Sequence, residues 1–359
     1  MATALNDLLK ATSRSFYLTL RVLPARVRPQ IGLAYLLART TDTIADTELV
    51  PPAQRLDALQ KLRERILGQN SAPLNFGALA QKQNLSAEKL LLEKVEDGLS
   101  ALQNFSATDQ KLIRDVLTTI TSGQELDLRR FGRWGEAPGE PSSTFAARGD
   151  ARPTKKIIAL ETPDELDDYT YRVAGCVGEF WTKICRAHLF PNARLDEKQF
   201  IADGIRFGKG LQLVNILRDL PADLSKGRCY LPLEKLAEIG LKPEDLLKPE
   251  HEPGLRPLYN RYLDLAESHL AAGWNYTNAL PFGQFRIRLA CAWPILIGVK
   301  TILHLRSRSI LDPQQLVKIS HAERRSIILN SILSCPFPGA WRKLFFSGRK
   351  AVASEAKLT

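Results

Sequence analysis

The sequence predicts an all-α fold in a single helical domain. Most segments repeat their apolar residues about every 3.6 positions, as amphipathic helices do, and few show the alternation of strands. Glycine and proline mark many of the joins between these segments, for example in NSAP and HEPG. Hydrophobic residues make up 44% of the 359 residues, so the composition allows a large core.

The apolar period places the helices between recognisable start signals. Pro163 follows Thr162, and Pro51 and Pro52 precede a long amphipathic run, so these prolines mark helix starts. The predicted helices span residues 29–47, 53–68, 86–104, 107–131, 163–189, 196–220, 255–279, 284–306 and 322–334.

Two stretches depart from the helical pattern. Residues 129–156 are rich in Gly, Pro, Arg and Ser and predict an irregular loop, either a disordered insertion or a loop that substrate orders. Residues 336–359 predict a basic C-terminal tail. The single domain is therefore expected to span residues 1–335.

Composition narrows the classes of partner. The formal net charge of +11 favours polyanions, which are nucleic acid, an anionic membrane or phosphorylated small molecules. The sequence has no zinc-finger, RNA-binding aromatic or basic-zipper pattern, so we expect no nucleic-acid partner. The five cysteines lack C-x-x-C spacing and the five histidines are scattered. These features favour a reducing compartment over a disulfide framework or a structural zinc site.

Neither a secretory leader nor a membrane anchor is predicted. The N-terminus lacks a basic start followed by an uninterrupted apolar stretch. The most apolar segment, residues 289–305, is short for a membrane span and contains Pro294 and Lys300, so it predicts a buried or membrane-facing helix. We therefore expect a cytoplasmic protein.

Two aspartate pairs are the most informative motifs. Asp42 and Asp46 in YLLARTTDTIADT are four residues apart on a predicted helix, so both carboxylates lie on one face. Asp219 and Asp223 repeat this spacing in LVNILRDLPADLSKGRCYLP, where Pro221 is expected to end or kink the helix. One D-x-x-x-D is usually a solvated helix face, but both pairs here lie in apolar helices beside arginines.

Paired carboxylates of this kind suit magnesium. Mg²⁺ prefers oxygen ligands and often bridges carboxylates to substrate phosphates. Two facing pairs could hold such ions around a diphosphate and neutralise the charge that develops on a leaving group, while arginines add forked hydrogen bonds. Apolar walls would hold a hydrocarbon tail and keep water away from a carbocation.

Five ordered motifs resemble those of the squalene and phytoene synthase family, the head-to-head isoprenoid synthases. They are TSRSF (12–16), YLLARTTDTIAD (35–46), YTYRVAGCVGEF (169–180), LVNILRDLPAD (213–223) and GRCYLP (227–232). The resemblance implies an all-α isoprenoid synthase bundle around a deep central cavity. It also implies farnesyl diphosphate as substrate and Mg²⁺, or Mn²⁺ in its place, as cofactor.

The resemblance assigns roles to positions that match the family motifs. The implied catalytic set, in which the aspartates hold the metal, is Asp42, Asp46, Asp219, Asp223, Tyr35, Tyr169 and Arg39. The implied substrate-binding set is Ser13, Arg14, Ser15, Phe16, Val173, Gly175, Val177, Leu211, Gln212, Arg218 and Arg228. The implied NADPH contacts are Asn215 and Lys318.

The C-terminal part favours squalene as the product. VKISHAE (317–323) resembles a segment of squalene synthases that brings a lysine to NADPH inside the helical cavity. No G-x-G-x-x-G follows a predicted strand, so no Rossmann domain would supply the hydride. Arg172, Ala222 and Ser320 depart from the common pattern, and presqualene diphosphate, dehydrosqualene and phytoene stay open as products.

A membrane partner is expected because the product is an insoluble hydrocarbon. Residues 337–350 mix Trp341, Phe345 and Phe346 with basic side chains, which predicts either peripheral contact with an anionic membrane or a disordered basic tail. A monomer or a weak homodimer is expected. The competing class is a non-catalytic assembly factor with the same bundle, and the presence of all four aspartates argues against it.

Overall fold

The computed structural model describes residues 3–13, 17–132, 156–312 and 317–355, and these residues are almost entirely helical. The predicted all-α class is confirmed. The α-helices of the described residues are α1 (Thr3–Thr12), α2 (Tyr17–Val22), α3 (Arg28–Asp46), α4 (Pro52–Leu67), α5 (Gly77–Ala80), α6 (Ser86–Glu93), α7 (Val95–Leu102), α8 (Ala107–Phe131), α9 (Pro163–Thr170), α10 (Cys176–Leu189), α11 (Glu197–Ser225), α12 (Leu233–Ala237), α13 (Glu252–Ala279), α14 (Phe285–Ser307), α15 (His321–Ser334) and α16 (Pro338–Glu355).

Helix α11 lies at the centre of the packing and contacts α10, α13 and α14 along its length. Buried side chains form two apolar clusters. The first includes side chains of α1, α3, α4, α7, α8 and α10, and the second includes side chains of α11, α13, α14 and α16. The predicted irregular loop lies mostly outside the described residues, although its first part, up to Phe131, ends α8.

Helices α10 and α11 approach until their backbones touch. A methyl carbon placed on Gly178 would lie 1.9 Å from the Gly204 carbonyl oxygen, and one on Gly208 would lie 2.1 Å from the Ala174 carbonyl oxygen. Since helix interiors disfavour glycine by about 1 kcal/mol each, the four-residue spacing of Gly204 and Gly208 is explained by this close contact.

The predicted helix 163–189 is continuous but contains one π-helical turn. α9 runs into the π turn Tyr171–Gly175, which runs into α10. Such a turn holds an extra residue relative to α geometry and shifts the faces that follow. It therefore lets Tyr169 and Phe180 lie on differently oriented faces of one helical rod.

Of the two outcomes expected at Pro221, an end or a kink of the helix, the end does not occur, because α11 continues to Ser225 and includes Asp223. A proline cannot donate to the carbonyl four residues earlier, which here belongs to Leu217. The buried hydroxyl of Tyr259 donates to that carbonyl oxygen at 2.9 Å. A side chain of α13 thus replaces the missing backbone donor.

A two-stranded parallel pair follows α11. β1 (Ile158–Ala159) pairs with β2 (Arg228–Cys229), with Ile158 opposite Arg228. Gly227 reverses the chain with φ at +77°, a conformation that favours glycine. The pair fixes Arg228 immediately after the second aspartate motif.

The C-terminal segment is a docked helix and not a disordered tail. Trp341 is fully buried and stacks on Trp274 of α13 at 5.3 Å between ring centroids, and Phe345 stacks on the same ring. Two of the three aromatic residues expected at a membrane therefore face the core. Among the described helices, α14 alone is long and apolar enough to cross a membrane, and 78% of its most apolar window is buried in the fold.

Candidate active site

A cavity of about 780 Å³ lies between the first aspartate motif, α8 and the turn after α11. Its walls carry carboxylates, cations and apolar side chains together. The lining residues are Asp42, Ala45, Asp46, Glu48, Pro52, Arg55, Ile120, Gln124, Asp127, Leu128, Phe131, Gly132, Tyr169, Val173, Gln212, Ser225, Lys226, Arg228 and Tyr230. We call it the first cavity.

Asp42 and Asp46 occupy the last turns of α3 and face the first cavity. The side-chain amide of Gln124 donates to Oδ1 of Asp42, and Arg39 lies 3.8 Å from Oδ2. Burial and the neighbouring charge of Asp46 raise the pKa of Asp42 to about 6. Burial also raises the pKa of Asp46, against the opposing effect of Arg228. Each carboxylate would be stabilised by a further cation.

The second pair lies at the end of α11. The guanidinium of Arg218 contacts both oxygens of Asp219, at 2.8 and 2.6 Å. Burial and the charge of Asp219 raise the pKa of Asp223 to about 7. Arg218 therefore neutralises one carboxylate of the pair, whereas Asp223 stays in an environment that disfavours its negative charge.

Two cations connect the aspartate motifs. The positive charges of Arg228 and Lys226 oppose the burial that raises the pKa values of both Asp46 and Asp223, which places the second carboxylate of each motif near the same two side chains. Lys226 also forms an ion pair of 3.2 Å with Glu48, just after α3. The C-terminal ends of α3 and α11 therefore lie beside the same two basic side chains, Lys226 and Arg228, in the wall of the first cavity.

A second cavity of about 750 Å³ lies between α2, α11, α14 and α15. Helix α11 contributes to both cavities, because Gln212 lines the first while Leu211 and Asn215 line the second. Three polar or charged side chains of α11 and one lysine of the segment before α15 face this space together with Ser320 and Arg324. Those of α11 are Asn215, Arg218 and Asp219, and the lysine is Lys318.

Most of the described residues implied by the resemblance reach one of these two cavities. The first cavity contains Asp42, Asp46, Tyr169, Val173, Gln212 and Arg228. The second contains Leu211, Asn215, Arg218, Asp219 and Lys318. Arg14, Ser15 and Phe16 lie outside the described residues.

Six of the implied residues line neither of these cavities in the part of the chain that the structure describes, and one of them is Asp223 at the end of α11. Ser13 is buried, and its hydroxyl donates to the Leu9 carbonyl oxygen. The Tyr35 hydroxyl donates to the Thr12 carbonyl oxygen, and Arg39 pairs with Glu88 at 2.6 Å.

The other two belong to the π turn and α10. Gly175 packs closely against Tyr171 and Lys209, whose side-chain atoms would lie only 3.1 and 3.2 Å from an added methyl carbon. Val177 is 38% exposed, because it lies on the outer face of α10. The expectation that Gly175 and Val177 line the cavity is not met.

Other functional candidates appear only in three dimensions. Gln124 and Asp127 are three residues apart on α8, so one helix face brings both into the first cavity. Tyr230 and Arg55 join them there, and Arg324 lines the second cavity. The sequence carried a weak signal for one of these residues, since Tyr230 lies in the quoted motif GRCYLP.

The donor set fits a hard divalent cation that shares its coordination with a substrate. Within the described ranges, no group of three or more His, Cys, Asp or Glu side chains could form a complete metal cage. Mg²⁺ is usually held by one or two carboxylates together with substrate phosphates and water. The pair Asp42 and Asp46, with raised pKa values, matches that requirement.

A family model described as squalene/phytoene synthase matches residues 9–323, which is most of the chain and includes both aspartate motifs. The chain belongs to the squalene/phytoene synthase family. It is therefore a member of a prenyl-transferring enzyme group of isoprenoid biosynthesis.

Individual relatives of this squalene/phytoene synthase family member carry different activities. A bifunctional lycopene cyclase/phytoene synthase of Gibberella fujikuroi is 28% identical over 81% of this chain and 46% of its own length. A squalene synthase of Saccharomyces cerevisiae is 25% identical over 90% of this chain and 66% of its own length. This chain thus spans about half the length of the first of these relatives.

Solved structures support the fold. A complex of a protein named TcSQS with a ligand superposes with a TM-score of 0.74 at 19% identity, and the match covers 98% of this chain and 90% of the other. At that identity the likeness shows the helical architecture alone.

Proposed function

We propose that this chain condenses two molecules of farnesyl diphosphate head to head and reduces the resulting cyclopropyl diphosphate, presqualene diphosphate, to squalene with NADPH. The observation that carries the proposal is the first cavity, where carboxylates of α3 and cations after α11 lie beside apolar walls. The charged side chains of that space suit a metal-bound diphosphate, and its apolar side chains suit a hydrocarbon tail.

The polar end of the first cavity would bind the diphosphate. Arg228, Lys226 and Arg55 present positive charge there, and Asp42 and Asp46 would hold Mg²⁺. The bound metal would neutralise negative charge on the departing diphosphate. Arg228 would hold the leaving group by forked hydrogen bonds, since guanidinium geometry matches phosphate oxygens.

The apolar part of the same cavity would hold the isoprenoid chain. Ile120, Leu128, Phe131 and Val173 form this wall, on α8 and the π turn. Side chains of this kind exclude water, which would otherwise quench an allylic cation to an alcohol. The wall therefore favours attack by the double bond of the second substrate.

The second cavity would bind the nicotinamide cofactor. Asn215 and Lys318 both face it, and Arg324 of α15 adds a second cation. Position 320 is a serine, whereas squalene synthases often carry a second basic residue two positions after the lysine. Arg324, near the start of α15, would supply that charge here. Two cations and an amide suit the phosphates and polar groups of NADPH.

Product analysis tests the proposal. The purified chain with farnesyl diphosphate, Mg²⁺ and NADPH is expected to give squalene, and without NADPH a cyclopropyl C30 diphosphate. Lys318→Ala is expected to shift the products with NADPH about tenfold toward the diphosphate, because one charge-assisted contact contributes roughly 1.5–3 kcal/mol. Mass spectrometry of reactions with C15 and C20 diphosphates measures the identity of the products and the shift in their ratio.

The control for Lys318 is Lys61→Ala, since Lys61 is an exposed lysine of α4 outside both cavities. It should keep the wild-type product ratio. Cyclopropyl diphosphate that accumulates despite NADPH would remove the reductive step. That result would favour the alternative, a presqualene diphosphate, dehydrosqualene or phytoene synthase. Arg172 in place of the family tyrosine and the similarity to phytoene synthases favour that alternative.

We further propose that the outer face of α15 is the membrane contact. Leu329, Ile332 and Leu333 are spaced so that they share one helix face, and all three are exposed. Phe337 and Phe346, which follow in the sequence, are exposed as well. The adjoining face of α15 lines the second cavity through Arg324 and Ile328, so an insoluble product would leave next to lipid.

The charges around this face select an anionic membrane. Residues 321–350 contain six basic residues and one acidic residue, Glu323. Basic side chains near a negatively charged bilayer contribute about 1 kcal/mol each. A cytoplasmic, peripherally attached enzyme follows from this proposal, as a monomer or a weak homodimer.

Liposome flotation tests the α15 surface. The double change Leu329→Gln and Leu333→Gln is expected to weaken binding to anionic vesicles about tenfold, since each leucine loses roughly 1 kcal/mol of apolar burial. Leu49→Gln is the control, because Leu49 is 70% exposed and lies in the turn after α3, far from α15 in the sequence. Undiminished binding of the double variant would reject this surface.

A further inference from the structure

Three side chains form a hydrogen-bonded chain in the wall of the first cavity. The Tyr230 hydroxyl donates to Oδ2 of Asp127 at 2.6 Å, and the Tyr169 hydroxyl donates to the Tyr230 oxygen at 3.4 Å. The two tyrosine rings stack at 4.8 Å between centroids. The donors all point toward the carboxylate, so the oxygen of Tyr169 accepts no hydrogen bond within this chain, and all three residues line the first cavity.

The carboxylate at the other end is not satisfied by its surroundings. Oδ1 of Asp127 is buried and accepts no hydrogen bond from the described residues. An unpaired buried carboxylate oxygen costs stability, and a purely structural Asp–Tyr pair gains nothing from it. Burial raises the pKa of Asp127 to about 6, although the hydrogen bond from Tyr230, the charge of Arg228, the nearby hydroxyl of Tyr169 and the charge of Arg130 lower it.

The two tyrosines are unsuited to act as anionic bases. Burial raises the pKa values of Tyr169 and Tyr230 well above 10, and the nearby negative charge of Asp127 raises both further. Asp223 adds to this effect at Tyr169. Both side chains therefore stay protonated phenols that can pass a proton on but cannot retain one. Among the three groups, only the carboxylate can store it.

This inference rests on the proposed function, which releases one proton. In the condensation, the C1–O bond of one farnesyl diphosphate breaks and the diphosphate leaves with the electron pair. The double bond of the second substrate forms the new C–C bond. A C–H bond next to the resulting cation then breaks, its electrons close the cyclopropane ring, and the proton must go to an acceptor.

We propose that Asp127, acting through Tyr230 and Tyr169, accepts the proton that is released when the cyclopropane ring closes. The Tyr169 oxygen takes the proton from carbon while its own phenolic proton moves to Tyr230. The phenolic proton of Tyr230 moves in turn to Oδ2 of Asp127. Both tyrosines end as phenols and the carboxylate ends as a neutral acid, so charges and protons balance.

The product ratio without NADPH tests this relay. Asp127→Asn keeps the size of the side chain but cannot accept the proton. The C30 cation should then be captured by water as a hydroxylated C30 diphosphate, so the ratio of cyclopropyl diphosphate to that alcohol is expected to fall about a hundredfold, the usual contribution of a positioned proton acceptor. Tyr230→Phe leaves the carboxylate in place and breaks the chain, and should shift the ratio in the same direction.

Tyr262→Phe is the control, a buried tyrosine of α13 outside both cavities, and should keep the wild-type ratio. The ratio separates proton acceptance from folding, because a less stable variant loses both products equally. A wild-type ratio in Asp127→Asn would overturn the assignment of Asp127 alone. A wild-type chain that leaves farnesyl diphosphate with Mg²⁺ unconsumed would overturn the proposed function itself.

Discussion

Asp223→Asn is expected to lower the turnover of farnesyl diphosphate by about a thousandfold. The carboxylate lies with Asp46 near Arg228 and Lys226, where the proposed function needs a ligand for Mg²⁺. Loss of a metal contact to the leaving group removes several kcal/mol of transition-state stabilisation, and about 4 kcal/mol corresponds to that factor. Steady-state release of diphosphate measures it.

The same variant should be more stable than the wild type when metal is removed with a chelator at pH 8. The pKa of Asp223 is raised from 3.8 to about 7 in the folded chain, so the fold favours the protonated form. That contribution to stability is present at low pH and is lost as the pH rises from 3.8 to about 7. Asparagine resembles the protonated acid, so the melting temperatures of variant and wild type should differ at pH 8 and converge near pH 4.

Asp203→Asn is the matched control. Asp203 is a buried aspartate of the same helix that accepts a hydrogen bond from Gln199 and lines neither cavity. It should keep wild-type turnover. Comparable turnover in Asp223→Asn and Asp203→Asn would show that the second aspartate motif does not act in the reaction.

Gly208→Ala is expected to destabilise the fold by about 2 kcal/mol. The new methyl carbon would lie 2.1 Å from the Ala174 carbonyl oxygen, and this neighbour is backbone that cannot rotate away. Overpacking of this kind costs up to about 3 kcal/mol, against a gain of about 1 kcal/mol in helix propensity. The free energy of unfolding in urea measures the difference.

Gly254→Ala is the matched control for the helix contact. Gly254 lies in α13 with nothing within 4 Å of the added carbon, so alanine there should be neutral or slightly stabilising. Equal stability of the two variants would mean that the π turn and α11 can move apart at little cost. The close approach would then not hold the cavity walls in place.

The sequence predicts the helices well because their apolar faces are long and periodic. Helices α3, α4, α8 and α14 begin and end within one residue of the predicted bounds. The end of α11 could not be predicted, since the donor that replaces the missing N–H of Pro221 belongs to Tyr259, which lies 38 positions later in the chain. The burial of Trp341 likewise depends on a distant partner, Trp274.

The site was predictable where one motif supplies several residues. The aspartate spacing identified Asp42 and Asp46, and the structure places both in the first cavity. Asp127 is different, because QELDLRR resembles any polar helix surface and the residue gains meaning only through Tyr230 and Tyr169. Which of the cavities a residue of α11 faces is likewise set by helix rotation and packing.

The orientation of Tyr169 in the site depends on the number of residues in the π turn Tyr171–Gly175. Removing its extra residue would restore ordinary helix geometry and rotate everything before it by about 100° around the axis relative to α10. Tyr169 would then swing away from Tyr230, while every motif in the sequence stayed intact. Substitutions in this turn therefore preserve the orientation of Tyr169 better than insertions or deletions do. A change in the number of residues there would keep the fold but would take the catalytic side chain out of place.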